Sequence, residues 1–243
     1  MGSVLVITSG KGGTGKTSLT GGAGAALALQ GQRVLCLDAD VGLRNLDIVL
    51  GMADAALMDF SDVMAGRCGL ERAAAPHPGI EGLYLLTAPL TLPADFGGQE
   101  GFRALLDEAR QRYDWVLIDS PAGVGEAFRL AVSGADRAVV VATSDPASLR
   151  DAQRVVCELD CPARLVVNRV KGWLLRKMGA TIDDAMDAAG LPLLGLVPED
   201  VHVMLAAGSG RPVCQATEKG AAKAYDNIAR RITGESVPLM HIW

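Results

Sequence analysis

Aromatic side chains are scarce, 4% of 243 residues, while alanine, glycine, leucine and valine abound. That is the composition of tightly packed parallel sheets and helices. No apolar stretch approaches the roughly 20 residues of a membrane-spanning helix. No charged-then-apolar leader precedes the first strand, so a soluble or at most peripheral protein is expected. Positive charge is not in surplus either: 23 Lys and Arg against 28 Asp and Glu leave a formal charge of −5. This argues against a protein coated with nucleic acid, while leaving room for a local basic patch. The five cysteines, Cys36, Cys68, Cys157, Cys161 and Cys214, are odd in number and lack disulfide-framework spacing, which points to a reducing cytoplasm. Cys36 reads as a core residue. Cys157 and Cys161 are spaced to share a helix face, with no second His or Cys pair to complete a metal site. The histidines, His77, His202 and His241, are scattered without catalytic partners. Pro76–Gly79 reads as a surface turn, and neither internal repeats nor low-complexity linkers interrupt the chain.

What is present is alternation. Short continuous apolar runs recur at Val4–Thr8, Val34–Leu37, Leu83–Leu86, Trp115–Ile118, Ala138–Ala142, Leu165–Val167 and Leu193–Val197. Helical periodicity lies over Thr17–Gln30, Gly101–Arg112, Glu126–Ser133, Leu149–Leu159, Ile182–Ala189 and Glu218–Thr233. Continuous rather than alternating apolar strands, separated by helices, predict an α/β fold with a mainly parallel twisted sheet covered on both faces. Ligands of such sheets lie beyond the carboxyl ends of the strands. Gly21, Gly22 and Gly24 inside the first helix point to close approach of that helix to the sheet.

The first strand runs into Gly10-Lys11-Gly12-Gly13-Thr14-Gly15-Lys16-Thr17-Ser18. This is a complete phosphate-binding loop in its required context of strand, turn and helix. Its glycines let backbone N–H groups turn inward around phosphate oxygens, and the helix presents its positive end to the anion. Lys16 is placed for the β- and γ-phosphates and the Thr17 hydroxyl for Mg²⁺. Lys11 is a second lysine where the general pattern leaves the residue free. The second strand ends in Asp38-Ala39-Asp40 and another in Asp119-Ser120-Pro121-Ala122-Gly123. Asp38 and Asp119, at buried strand ends beside a phosphate loop, are candidate Mg²⁺ ligands. Ser120 stands where many ATPases carry a glutamate next to the strand-end aspartate, so Asp40 is the candidate for orienting the attacking water. A lone aspartate in that role implies slow turnover in an isolated subunit.

The two-lysine loop, the Asp38–Asp40 pair and Asp119–Gly123 resemble the deviant-Walker ATPases of the MinD/ParA class, with the SIMIBI-type P-loop NTPase architecture. Gly42–Asp47, Gly66-Arg67-Cys68, Leu83–Leu86, Val197-Pro198-Glu199-Asp200 and Ile228–Arg231 resemble its septum-placement branch, over nearly the whole chain. The resemblance implies one ATPase domain over residues 1–236 and a short apolar tail, 237–243. It implies that ATP is bound by Gly10 through Ser18, and that Lys11 crosses an ATP-dependent homodimer to the partner's phosphates, as an arginine finger does. Asn168, Arg169, Pro198, Glu199 and Asp200 would hold adenine. Asn168 is followed by Arg169, Val170 and Lys171, so the guanine-reading Asn-Lys-x-Asp motif is absent and ATP is favoured. The implied partners are a division inhibitor and an ATPase-stimulating protein, MinC- and MinE-like.

The implied setting is the cytoplasm, at the inner face of the cell membrane. The family's basic amphipathic tail helix has no counterpart: Val237–Trp243 is seven residues with one proline. That tail either packs on its own domain or dips Trp243 into an interface. A second departure is Ser144-Asp145-Pro146, where the family more often carries Thr-x-Pro-Glu and Asp145 is the acidic residue present. The alternatives are a ParA-like DNA-partitioning ATPase, supported by Arg169, Lys171, Arg176 and Lys177 around Trp173, and a flagellar-placement relative.

Overall fold

A computed structural model describes residues 1–53, 55, 57–93 and 96–242. Its strands are β1 (Ser3–Thr8), β2 (Val34–Asp38), β3 (Ala75–Pro76), β4 (Leu83–Leu86), β5 (Trp115–Asp119), β6 (Arg137–Thr143), β7 (Ala163–Val170) and β8 (Leu193–Pro198). They form one sheet in the order β3-β4-β2-β5-β1-β6-β7-β8. Every pairing is parallel except β3 with β4. Parallel strands need crossovers, and helices supply them: α1 (Lys16–Leu29), α2 (Leu46–Leu50), α3 (Phe60–Met64), α4 (Leu70–Ala73), α5 (Gly98–Arg112) and α6 (Glu126–Val132). Beyond β6 come α7 (Pro146–Val156), α8 (Gly172–Met178), α9 (Ile182–Ala189), α10 (Val201–Gly208), α11 (Val213–Ala216) and α12 (Gly220–Ile232).

The two-residue period of a strand sends alternate side chains to opposite layers. Leu5 and Ile7 of β1 join Leu19, Leu27, Tyr225 and Ile228 under α1 and α12. Val4 and Val6 join Phe60, Phe102 and Leu106 under α3 and α5. Farther along the second face, Val140, Ala142 and Val167 pack with Leu149, Val155 and Ala185 of α7 and α9. Both faces are thus covered, and the strands read as continuous apolar runs because they are buried on both sides.

The helix glycines do more than approach the sheet. A Cβ on Gly24 would overlap Cys36 of β2, but one on Gly21 would meet Val49 of α2, and one on Gly22 would fall inside the ring of Tyr225 on α12. Each glycine admits a different neighbour to the surface of α1. Other expectations need correction. The Pro76–Gly79 segment is an exposed turn at Pro78 and Gly79, but Pro76 belongs to β3 and pairs with Tyr84, and the His77 ring lies 3.0 Å from the Leu50 carbonyl. Cys157 caps the end of α7 and Cys161 lies beyond it, so the two do not share a helix face.

The tail is strapped to the domain. The Arg231 guanidinium donates to the carbonyls of Leu194 (3.1 Å), Val237 (2.9 Å) and Pro238 (2.7 Å). Met240 packs against the α1–α12 layer, and Ile242 packs against the opposite layer with α7 and α9. The tail therefore passes around the β8 edge. Trp243 lies outside the described residues. Among those residues no helix is long and apolar enough to cross a membrane.

Candidate nucleotide site

Because the strands run parallel, their carboxyl ends share one rim of the sheet. The loop after β1, Asp38, Asp119, Thr143, Asn168 and Pro198 all fall on it. The loop leaves β1 at Ser9 and turns with Gly13 at φ 77° and Gly15 at φ 93°, where a side chain would be strained. Two hydrogen bonds fix its shape: Ser9 Oγ donates to the Lys11 carbonyl (2.8 Å), and Asn168 Nδ2 donates to the Thr14 carbonyl (2.7 Å).

The two loop lysines have different surroundings. Lys16, in the first turn of α1, is 8% exposed. Burial pushes its pKa down, while the nearby carboxylates of Asp119 and Asp40 act in the opposite direction. Lys11 stands at the outer rim with its side chain 39% exposed.

Opposite Lys16 sits a carboxylate pair. Asp38 and Asp119 are register partners on β2 and β5, exposed by only 1% and 2%. Burial pushes the Asp119 carboxyl up to about 7, with repulsion from Asp38 adding to it and hydrogen bonding to Thr17 opposing it. The Thr20 hydroxyl also reaches Asp119 Oδ1 at 3.3 Å. Burial likewise raises Asp38 to about 6, although its two oxygens accept the N–H groups of Asp40 (2.9 Å) and Leu46 (3.2 Å). These bonds tie the loop that carries Asp40 to the strand end. Asp40 itself is half-buried, its pKa raised by burial and restrained by Lys16.

Two buried carboxylates beside a threonine hydroxyl are hard oxygen donors with unrelieved repulsion, which is a fit for a divalent cation. Among the described residues no cluster of three or more His, Cys, Asp or Glu side chains forms a cage of its own. A site of one or two carboxylates completed by substrate phosphate suits Mg²⁺ rather than a metal held by protein alone.

A cavity of about 420 Å³ adjoins the loop, lined by Gly15, Ser18, Asn168, Arg169, Pro198 and Glu199 among others. Its wall is shaped by an irregular register between β7 and β8 around Val167–Val170 and by Arg169 at φ 54°. Asn168 is 4% exposed, and its Oδ1 accepts the Arg169 N–H at 2.9 Å while its Nδ2 holds Thr14. It works as a strut between β7 and the phosphate loop. Glu199 pairs with Lys171 (2.9 Å) at the rim. The Asp200 carboxylate caps α10 through His202 N–H (2.9 Å) and receives Ala221 N–H (2.9 Å) at the start of α12. His202, which the sequence left without a partner, lies 2.7 Å from the same carboxylate. Sequence reasoning missed the strut and the Asp200–Ala221 contact because each joins residues far apart in the chain, whereas the Asp200–His202 cap is local and its signal, an aspartate opening a helix, was there to be read. Trp173, Arg176 and Lys177 are exposed on α8, outside the cavity lining.

Comparison with known proteins gives a consistent result. The model of the CobQ/CobB/MinD/ParA nucleotide binding domain matches residues 5–213. The septum site-determining protein MinD of Bacillus subtilis is 42% identical, over 98% of this chain and 92% of that protein. Among solved structures, the MinC:MinD cell division complex of Aquifex aeolicus superposes with a TM-score of 0.90 at 36% identity, covering 98% of both chains. MinD of Pyrococcus horikoshii complexed with Mg-ADP gives 0.83 at 28% identity, covering 96% of this chain and 97% of that one.

Proposed function

The chain belongs to the CobQ/CobB/MinD/ParA nucleotide-binding family, among its MinD members, and from that premise we propose how its residues perform the ATP-gated switching of division-site placement. It is an ATPase that uses Mg-ATP. The observation that carries the residue assignment is the division of labour within one loop: a buried lysine facing carboxylates and an exposed lysine at the rim.

In this reading the N–H groups of Gly12 through Thr17 cradle the phosphates, and Lys16 neutralises the β- and γ-oxygens. Thr17, Asp38 and Asp119 hold Mg²⁺, which when bound offsets the charge of the triphosphate. Arg169 and the Pro198–Asp200 segment form the adenine wall, and Asn168 sets the distance between that wall and the loop. Asp40 orients water for attack at the γ-phosphorus. Its half-buried place at the end of β2 and its proximity to Lys16 support that role. Lys11 crosses to the triphosphate of a second copy, so full charge stabilisation forms only in the dimer. Residues 1–236 act as one ATPase domain, and the tail is its strap. A MinC-like division inhibitor and a MinE-like stimulator are the partners that read the dimer.

Light scattering with ATP against ADP tests the reading. A dimer with ATP that Lys11→Ala abolishes is the expected result. A monomer whichever nucleotide is supplied would refute it.

A further inference from the structure

A cavity of about 430 Å³ lies where the carboxyl-terminal ends of α6 and α7 meet α5, and it shares no lining residue with the nucleotide cavity. The turn that lines it between α6 and β6 is fixed. Arg110 Nη2 donates to the Gly134 carbonyl at 2.6 Å, and Ser133 Oγ donates to the Leu130 carbonyl at 2.7 Å. The segment after α7 is anchored by Leu159 and Cys161, which pack against the layer under α3 and α5. On this frame stand Arg103, Arg129, Cys157, Glu158 and Asp160, all exposed. Two guanidiniums and two carboxylates border one hollow, yet among the described residues none of the four forms an ion pair. Arg129 donates to the Val124 carbonyl at 3.4 Å, and the stem of Arg103 is packed on the Gly134 turn. Charges of both signs are thus left for an occupant. The two thiols differ: Cys157 closes α7 and is exposed, whereas Cys161 is half-buried and burial raises its pKa, which makes it the poorer nucleophile.

We propose that this cavity is a thiol-modification site, in which Cys157 reacts with a small zwitterionic disulfide whose halves each carry carboxylates and an ammonium. Arg103 and Arg129 receive the carboxylates, and Glu158 and Asp160 receive the ammonium. The chemistry is thiol–disulfide exchange. The Cys157 thiol gives its proton to water, and the thiolate attacks one sulfur of the bound disulfide. The reagent's S–S bond breaks, a new S–S bond joins Cys157 to one half, and the other half leaves as a thiolate that takes up a proton. Cys157 is oxidised and the departing half is reduced, so the disulfide itself is the oxidant. An uncharged disulfide draws nothing from the surrounding charges, which separates recognition from exposure alone.

Oxidised glutathione is the zwitterionic probe and hydroxyethyl disulfide the uncharged one, with the position and rate of capture read by mass spectrometry of the full chain and its peptides. Glutathione should add first at Cys157, ahead of the half-buried Cys68 and Cys214, and Cys157→Ser should abolish that adduct. The ratio of the two rates cancels any change in the thiol itself. Arg103→Gln with Arg129→Gln removes two exposed charge contacts, so the ratio of glutathione to hydroxyethyl disulfide capture should fall about two- to thirtyfold. Added salt should lower the same ratio in the wild type. Glu158→Gln with Asp160→Asn should lower it too. Both pairs are exposed, so the variants should melt near the wild type. An unchanged ratio in the arginine variant, or earlier capture at Cys68 or Cys214, would overturn the site. A higher ratio in the carboxylate variant, the result for a plain anion, would overturn the zwitterion.

Discussion

Replacing Asp119 by asparagine should stabilise the nucleotide-free protein, and increasingly so as pH rises. The substituted amide is nearly isosteric with the carboxylate, and its carbonyl can still accept from Thr20, which lies 3.3 Å from Asp119 Oδ1. What changes is the cost of a buried charge. The carboxyl is raised from 3.8 to about 7 in the folded protein, with burial the main cause. Between those values the folded state binds the proton and the unfolded state does not, so stability falls as pH rises through this window. The full cost above the folded pKa is about 4 kcal/mol, at 1.36 kcal/mol per pH unit. From about pH 5 to about pH 8 the greater part of it, about 3 kcal/mol, develops. For a chain of this size each kcal/mol moves the midpoint by about 2–4 °C.

Thermal melts of wild type and Asp119→Asn, without nucleotide and in a chelator, should therefore diverge by roughly 5–10 °C across that range. The pairing cancels other titrations, including His77, whose pKa is lowered by burial and whose effect runs the opposite way. A difference between the two proteins that stays constant with pH, or a wild type that gains stability relative to the variant, would refute the account of a repelled buried pair. Mg-ATP should stabilise the wild type and not the variant, since the variant lacks the second carboxylate.

Two further outcomes follow from other contacts. Asp40→Ala should bind ATP and accumulate as a dimer that does not turn over; phosphate release at the wild-type rate would remove Asp40 from its role. Gly22→Ala should lose about 1–3 kcal/mol to overpacking against Tyr225. The better helix propensity of alanine offsets only about 1 kcal/mol of that, so denaturant melts should show a net loss.

The elements that were legible in the sequence are those with a strong local signal. Leu83–Leu86 and Ile182–Ala189 are seen with the bounds their patterns suggested, the latter opened by a Thr181–Asp184 capping box. The short helices α2, α3, α4 and α11 span four or five residues, too few turns for an apolar period to stand out, and α8 and α10 were not read either. The start of α3 was nonetheless written in Asp59 and Asp62, which cap each other reciprocally. At the site, the phosphate loop and the strand-end aspartates could be read because each is a contiguous motif on a recognisable strand. The Lys11–Asp145 pair and the Asn168–Thr14 strut join residues 134 and 154 positions apart, so only the folded sheet brings them together.

The strap made by Arg231 has an architectural consequence. An open outermost strand invites a neighbouring molecule to add to it, and two such margins can zip into one continuous sheet. Here the last strand in the order is skirted by the chain's own final residues, gripped by a guanidinium on one side and seated by Ile242 on the other. A second copy adding along that border would have to displace residues 237–242 and the Arg231 contact with the Leu194 carbonyl.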